Sequence, residues 1–300
     1  MSAGALYRGA AWDVAEQLGE RELHFVYLDP PYGVGTPMTA RTAKGERRGR
    51  MQRGSGPVAY EDTQPVLELV ATLVRAATAI RTRLAPAATF AVHLDHRAVH
   101  EAKVGLDEVF GRGAFLGEII WVPGNGARGG GLSMTHQTIL LFCRAPSERR
   151  DATWNAEDPR LREPYSSTSL AMHFTNVDEA GRRFRERTIG AKTYRYYADA
   201  GRKLGTVWTD LPAMKANTPL HREGTGYPTQ KPIALLERLV VATTQEGQVV
   251  ADLMCGSGTT LAAAANLGRR FVGGDSSELA IDVTEARLRA MGVDFTTVRC

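Results

Sequence analysis

Short apolar runs recur along the chain, separated by stretches whose apolar residues have helical spacing. HFVYL, TFAVHL, EIIWV and TILLFC predict strands at 24–28, 89–94, 118–122 and 138–143. Over 62–84 the apolar residues recur every three or four positions, with Pro65 in the first turn, which predicts a helix packed on the core. Strands that alternate with helices predict an α/β sheet.

A second unit of strand, turn, helix and strand comes late in the chain. VVADL predicts a strand at 249–253, small residues predict a helix from about 259 to 267, and FVGGD predicts a strand at 271–275. Gly256 and Gly258 lie between the first of these strands and the helix. Glycines in that context allow a ligand to approach the backbone closely.

The residues around this turn favour a nucleotide-like ligand that lacks a phosphate chain. No G-x-x-x-x-G-K-[ST] sequence is present. Asp275 could accept hydrogen bonds from ribose hydroxyls, while its charge disfavours a 2′-phosphate. The alternative is a tight turn beside an ordinary aspartate. Cys255 is expected to pack at the end of a buried strand rather than act as a nucleophile, because no activating base lies near it in sequence.

The tetrapeptide Asp29-Pro30-Pro31-Tyr32 directly follows the strand LHFVYL, which places it at the carboxyl edge of an open sheet, where ligands bind. The prolines have no N–H, so the Asp29 carboxylate and the carbonyls are free to accept hydrogen bonds. An exocyclic amino group is a poor nucleophile because its lone pair is delocalised. Acceptance of its hydrogens by Asp29 and the Pro30 carbonyl would make it tetrahedral, with Tyr32 stacked on the extruded base. The alternative is a turn capped by Asp29.

Eight segments resemble, in order, the permuted group of S-adenosylmethionine-dependent DNA amino-methyltransferases, in which the catalytic tetrapeptide precedes the cofactor loop. They are RGAAWDVAEQL, VYLDPPYGVG, FAVHLDHRAVHEAKVGLDEVFG, FLGEIIWV, HQTILLF, VWTDLP, GYPTQKPIALLERLV and ADLMCGSGTTLAAAANLGRRFVGGD. The resemblance implies a doubly wound Rossmann-like methyltransferase sheet with permuted motif order. It makes Asp29, Pro30, Pro31 and Tyr32 catalytic. It implies that S-adenosylmethionine is bound by Asp252, Met254, Cys255, Gly256, Gly258, Thr259, Asp275, Ser276, Thr229 and Lys231.

By the same resemblance, the substrate is adenine N6 in double-stranded DNA, with the base flipped into the site. N4-cytosine methylation is the alternative, because the association of an aspartate-led tetrapeptide with adenine is imperfect. RNA amino-methylation and a catalytically silent DNA-binding regulator are more distant alternatives. Leu253-Met254 replace the usual Pro-Phe, and Gln137 replaces an acidic residue after His136. These departures affect detail rather than class.

Two basic segments are candidates for DNA contact. A flexible loop is expected over 36–58, with the cations Arg41, Lys44, Arg47, Arg48, Arg50 and Arg53. A target-recognition insertion that reads bases in a groove is expected over 146–215, with Arg182, Arg183, Arg185 and Lys192 interleaved with aromatic residues. For the second cluster, a solvated surface is the alternative.

Composition sets the remaining expectations. With 300 residues, 43% of them hydrophobic, the chain can form one catalytic domain over 1–300, and its net charge of +4 means that DNA affinity must come from clusters. The distant cysteines and the spacing of the histidines predict neither disulfides nor a metal site: Cys143, Cys255, Cys300, His93, His96 and His100. No apolar run reaches the ~20 residues that span a bilayer. We expect a cytoplasmic, nucleoid-associated prokaryotic protein, with a cognate restriction endonuclease and a homodimer left open as partners.

Overall fold

A computed structural model of the chain describes residues 3–40, 56–124, 131–214 and 223–299. The chain divides into two compact units. The sheet unit comprises residues 1–153 and 206–300, and the hairpin unit comprises residues 154–205. The predicted insertion at 146–215 encloses the hairpin unit, and its role in target recognition stays a prediction.

The strands and helices are numbered in chain order over both units. The strands are β1 Gly4–Arg8, β2 Leu23–Leu28, β3 Met38–Thr39, β4 Val58–Tyr60, β5 Leu84–Leu94, β6 Phe115–Trp121, β7 Gln137–Cys143, β8 Arg162–Glu163, β9 Asn176–Val177, β10 Arg183–Ile189, β11 Lys192–Tyr197, β12 Arg202–Lys203, β13 Val207–Trp208, β14 Val249–Asp252, β15 Arg270–Asp275 and β16 Phe295–Arg299. The helices are α1 Ala11–Glu16, α2 Val66–Arg81, α3 Val99–Phe110, α4 Ser167–His173, α5 Ile233–Thr243, α6 Thr259–Asn266 and α7 Glu278–Ala290.

The sheet unit contains a nine-stranded sheet in the order β13-β6-β7-β5-β2-β14-β15-β1-β16. Strand β7 is antiparallel to both of its neighbours, and the other neighbouring pairs are parallel. From β2 the chain continues through α2 to β5 on one side, whereas from β14 it continues through α6 to β15 on the other. The neighbours β2 and β14 therefore form a topological switch point, and ligands bind outside the carboxyl ends of such strands.

Both faces of the central strands are buried. In β2, the side chains of Val26 and Leu28 pack in the core cluster that includes residues of α1, α2 and α3, while the alternate residues Phe25 and Tyr27 are also buried. Helix α6 packs against both α5 and α7, and these three helices form a second group. Near-continuous apolar runs are typical of strands covered on both faces. The predicted doubly wound α/β sheet is confirmed.

The element ends differ from prediction where proline intervenes. Helix α2 begins at Val66 rather than within 62–65, because Pro65 is its extended N-cap. Strand β5 begins at Leu84, before the predicted 89–94 run, although Pro86 and the positive φ of Ala87 (61°) interrupt its regularity. A proline within an apolar run argues against a strand, so periodicity did not reveal this extension.

The described ends of the predicted loop at 36–58 form an antiparallel ribbon of β3 and β4. The Ala40 N–H donates to the Pro57 carbonyl at 3.0 Å, and the Gly56 N–H donates to the Ala40 carbonyl at 3.1 Å. The ends of the segment are therefore paired strands rather than loop. The predicted DNA-contacting residues Arg41, Lys44, Arg47, Arg48, Arg50 and Arg53 lie outside the described residues.

Candidate active site

A cavity of about 290 Å³ opens at the carboxyl edge beside β2 and β14. Asp29 and Pro31 of the tetrapeptide line it. So do all the predicted cofactor residues except Gly258: Asp252, Met254, Cys255, Gly256, Thr259, Asp275, Ser276, Thr229 and Lys231. Sequence segments more than 200 positions apart thus contribute to one cavity, because β2 and β14 are neighbours in the sheet.

Asp29 is held by two side chains at the end of β2. The Tyr32 hydroxyl donates to Asp29 Oδ1 at 2.7 Å, and the Lys231 ammonium contacts Oδ2. The Lys231 and Asp29 side chains are only 8% and 18% exposed. Lys231 Nζ also lies 5.2 Å from the centroid of the Tyr32 ring. The sequence placed Lys231 with the cofactor residues, whereas the structure brings it to the tetrapeptide as well.

Tyr32 and His93 keep neutral side chains near this ion pair. Burial and the neighbouring Asp29 raise the pKa of Tyr32 well above its ordinary value, so its hydroxyl stays a hydrogen-bond donor. Burial, together with the Lys231 charge, lowers the pKa of His93 well below 6.5. His93 Nδ1 lies 2.6 Å from the Tyr27 hydroxyl. Among the described residues, no group of three or more His, Cys, Asp or Glu could hold a metal ion.

The glycine turn after β14 is fixed to the end of β15. The Cys255 N–H donates to the Gly274 carbonyl, and the Gly256 N–H donates to Asp275 Oδ2, both at 2.9 Å. Gly256 and Gly258 have φ of +50° and +69°, in the left-handed region that favours glycine. A Cβ on Gly258 would lie 2.7 Å from Thr284 Oγ1 of α7. Packing against a helix, rather than a ligand, explains the need for glycine at this position.

Three carboxylates and one ammonium line the described part of the cavity: Asp29, Asp252, Asp275 and Lys231. Burial raises the pKa of Asp252 to about 7 and that of Asp275 to about 6. Asp252 still accepts hydrogen bonds from the Thr260 hydroxyl at 2.5 Å and the Met254 N–H at 3.1 Å. The excess of acidic groups suits a ligand with cationic groups and disfavours one with phosphates.

Cys255 is a packed residue in this structure. It is 5% exposed, and its Sγ lies 3.8 Å from Thr284 Oγ1. Burial and the charges of Asp275 and Asp252 raise the pKa of the thiol well above 9.0. A thiol in that environment is not the thiolate that a nucleophilic cysteine requires.

Aromatic residues that the sequence did not single out also line the cavity. The rings of Tyr60 and Tyr227 are stacked with centroids 6.3 Å apart, and the Tyr60 hydroxyl lies 2.9 Å from Thr229 Oγ1. Trp12, at the start of α1, has the Arg75 guanidinium 4.1 Å from its ring centroid. Tyr227 and Trp12 lie in the segments GYPTQKPIALLERLV and RGAAWDVAEQL, whose resemblance to the family was a usable signal. Tyr60 reaches the cavity only through tertiary packing.

The segment before α5 is held by its own hydrogen bonds, which position Lys231. Gln230 Oε1 accepts from the Thr225 N–H at 3.0 Å, and Gln230 Nε2 donates to the Glu223 carbonyl at 2.9 Å. Thr229 has a φ of +56°, a conformation that is uncommon for a residue other than glycine. Backbone in such a conformation clusters at functional sites.

In the hairpin unit, the predicted DNA-contacting cations differ in their environments. Arg182 forms an ion pair with Asp199 at 2.8 Å. Arg183 donates to backbone carbonyls of the same unit. Arg185 lies among aromatic rings, and Lys192 is exposed at the start of β11.

Residues 23–286, most of the chain, match the N6/N4 family of DNA methylases. The chain belongs to this family, which confirms the resemblance seen in the motifs. No helix among the described residues is long and apolar enough to cross a membrane.

The chain is also similar to individual relatives and solved structures. The type II methyltransferase M.EcaI of Enterobacter cloacae is 25% identical over 302 residues, covering 86% of this chain and 62% of the relative, so the chain spans about three-fifths of that protein's length. TTHA0409, a proposed DNA modification methylase of Thermus thermophilus, has a TM-score of 0.58 at 18% identity, with 99% and 100% of the two chains covered. It has also been solved with S-adenosyl-L-methionine.

The PvuII DNA methyltransferase, which is cytosine-N4-specific, has a TM-score of 0.56 at 12% identity and covers 99% of this chain and 97% of its own. At these identities the structural likenesses show a shared fold. They leave the choice between adenine and cytosine to the site itself.

Proposed function

We propose that the protein transfers a methyl group from S-adenosylmethionine to adenine N6 in double-stranded DNA. The observation that carries the proposal is that the Asp29-led tetrapeptide after β2 and the glycine turn after β14 open into one cavity. An acceptor for an amino group and a site for a nucleoside-like cofactor are therefore adjacent. Membership of the DNA methylase family and the S-adenosyl-L-methionine complex of TTHA0409 support the proposal.

The residues present fit S-adenosylmethionine. The cofactor carries a sulfonium and an ammonium but no phosphate, which matches a cavity lined by three carboxylates. Asp275 is the candidate ribose acceptor, Lys231 is the candidate partner of the cofactor carboxylate, and Tyr60 and Tyr227 offer aromatic faces to the adenine ring. When bound, the cofactor supplies the electrophilic methyl group.

Catalysis by this chain would rest on positioning and electrostatics. Asp29 and the Pro30 carbonyl would accept the two hydrogens of the target amino group, which frees the nitrogen lone pair. The hydrogen bond from Tyr32 fixes the Asp29 carboxylate at its other oxygen. Lys231 would have to release Oδ2 as the amino group arrives. The Asp29 carboxylate is also in place to receive the proton that the nitrogen sheds.

The aspartate at the head of the tetrapeptide favours adenine, and N4-cytosine methylation by the same mechanism is the second candidate. By analogy with the type II methyltransferase M.EcaI, we propose a cognate restriction endonuclease as partner. A DNA substrate would place the protein at the nucleoid of a prokaryotic cell.

Analysis of the methylated nucleoside tests this proposal. DNA incubated with the protein and S-adenosylmethionine should yield N6-methyldeoxyadenosine after digestion to nucleosides. Asp29→Ala should abolish transfer, a loss of at least about 1000-fold, and retain cofactor affinity, because Asp29 acts on the amino group. Asp13→Ala, which removes an exposed carboxylate of α1, is the control and should retain activity.

If the product were N4-methylated cytosine, the second candidate function would replace the first. Undiminished transfer by Asp29→Ala would refute the mechanism for both bases.

A further inference from the structure

The β10–β11 hairpin separates its side chains onto two chemically different faces. Residues paired across an antiparallel ribbon share a face, and alternate residues lie on opposite faces. The register therefore defines a basic face that carries Arg185, Arg187, Ile189, Lys192, Tyr194 and Tyr196. The opposite, paired face carries Phe184, Glu186, Thr188, Thr193, Arg195 and Tyr197. The acidic residue of the hairpin lies on the paired face, and the basic face has none.

The paired face satisfies its own polar groups. Arg195 forms an ion pair with Glu186 at 3.0 Å and lies 4.1 Å from the centroid of the Phe184 ring. The Thr188 and Thr193 hydroxyls are 3.0 Å apart. The two charged side chains of the paired face, Arg195 and Glu186, therefore neutralise each other.

The basic face has cations with no carboxylate partner among the described residues. Arg187 and Lys192 are exposed, beside Ile189 and Tyr194, which are 52% and 44% exposed. Elsewhere in the hairpin unit, four arginines are paired with carboxylates: Arg160 with Asp158, Arg162 with Glu157, Arg182 with Asp199, and Arg202 with Glu163. Positive charge is thus left uncompensated on one face of one hairpin.

Arg185 is held in place at the base of the same face. Its guanidinium carbon lies 5.2 to 5.5 Å from the ring centroids of Tyr165, Phe174 and Tyr196. Its Nε is buried without a hydrogen-bond partner among the described residues. Aromatic contacts orient this cation without neutralising it.

The shape of the hairpin suits insertion into a groove. Gly190, with φ of +59°, begins the two-residue turn between β10 and β11, as in a type II′ turn. A Cβ added to Gly190 would meet nothing within 4 Å, so space is open around the tip. The major groove of DNA, about 12 Å wide, admits a two-stranded β-ribbon.

We propose that the basic face of the β10–β11 hairpin enters the major groove of duplex DNA and reads base edges there. Arg187 and Lys192 are the contacting cations, with Tyr194 and Ile189 against the bases. The inference rests on the proposed function, since it takes DNA as the substrate. Arg182 and Arg183, with partners in their own unit, have structural roles in this assignment.

Two single substitutions on opposite faces test the assignment. Arg187→Gln and Arg195→Gln each remove one positive charge from the same hairpin. Arg195→Gln also leaves the Glu186 carboxylate unpaired, and that negative charge would itself weaken DNA binding. A smaller loss of affinity from Arg195→Gln than from Arg187→Gln would therefore be strong support for the choice of face. The probes are a short duplex with the site mapped by modification-sensitive sequencing of DNA that the protein has methylated, and a scrambled duplex of equal composition.

We expect Arg187→Gln to weaken binding to the site duplex about tenfold or more, and to weaken binding to the scrambled duplex less. Lys192→Gln should act in the same direction, whereas Arg195→Gln should bind both duplexes within about twofold of wild type. All three residues are exposed. Thermal unfolding of all three variants should therefore match wild type, and Arg195→Gln, on the paired face, should also retain methyl transfer.

Equal losses from Arg187→Gln and Arg195→Gln would overturn the choice of face. An equal loss on site and scrambled duplexes would overturn the groove assignment, because phosphate contacts do not depend on sequence. If wild-type protein methylates no DNA, the proposed function fails. In that case no site duplex can be defined, and binding of all variants to a duplex of arbitrary sequence still tests the choice of face.

Discussion

At the scale of single residues, the Lys231–Asp29 pair is the contact that the motifs did not reveal. Both side chains are largely buried, so water has little access to the ion pair. The ammonium occupies the carboxylate oxygen that a target amino group would need. Under the proposed mechanism, Lys231 holds the acceptor in position, and a ligand would have to draw the ammonium away before the target amino group could bind.

Removing the ammonium should leave a buried carboxylate without its counter-charge. We expect Lys231→Met to lower the free energy of unfolding by about 2–4 kcal/mol, measured in urea, and Lys231→Arg to retain more of it. Lys203→Met is the control, because Lys203 is 68% exposed and its ion pair with Glu157 spans 3.9 Å. Equal stability of the Lys231→Met variant and wild type would show that the pair is not stabilising.

Asp252 gives the ligand-free protein a defined dependence on pH. Its pKa is about 7 in the folded chain and near 3.8 in the unfolded chain. Between these values the folded state binds more protons, so the free energy of unfolding falls as pH rises through this window. Asp252→Asn removes that titration. We expect the variant to lose less stability than wild type between about pH 5 and pH 8, by on the order of a few kcal/mol.

Urea unfolding at several pH values without cofactor measures this difference. Asp275, whose pKa is about 6, titrates in both proteins, so the slope should shrink rather than vanish. The exposed change Asp13→Asn should leave the slope as in wild type. Identical slopes for Asp252→Asn and wild type would contradict the assignment.

At the scale of elements, the junction of the glycine turn with α6 depends on a close approach to α7. Gly258 combines a φ of +69° with a hypothetical Cβ 2.7 Å from Thr284 Oγ1. Gly292 has a similar φ of +71°, but a Cβ there would meet nothing within 4 Å. An alanine at either position would be strained by its φ, but only at Gly258 would its Cβ also clash.

Gly292→Ala should therefore cost about 1 kcal/mol of stability from φ alone, and Gly258→Ala should cost about 1–3 kcal/mol more. Chemical denaturation of both variants measures the difference. Gly258→Ala should also weaken cofactor binding, because α6 and the turn that lines the cavity would shift together. Equal losses of stability for the two variants would mean that α7 moves aside without a loss of free energy.

Several elements could be predicted from the sequence because their cause is local. Apolar runs identified β2, β5, β6, β7, β14 and β15, and the helical spacing identified α2. The two-residue strand β13 could not be found, since its pairing with β6 is set by tertiary contacts. The basic cluster of the hairpin unit was visible, but its division into two faces required the register of β10 with β11.

At the scale of the whole molecule, the motifs identified which residues belong to the site but not how they meet. Asp29 and Lys231 come from segments assigned to different tasks, and only the order of strands brings them into contact. Tyr60 lies in none of the segments that resemble the family, so it became visible only in the folded chain. Long-range pairing is the information that local periodicity lacks.

The strand order also governs when the protein can become active during its synthesis. Strand β1 pairs with β15 and β16, and β2 pairs with β14, so β1 and β2 wait for strands that are made more than 200 residues later. A nascent chain that has not yet reached β14 has the Asp29 tetrapeptide without the opposing wall of its cavity. The emerging chain cannot assemble the site before nearly all of the sheet unit has left the ribosome, and until then its apolar strands depend on protection from aggregation.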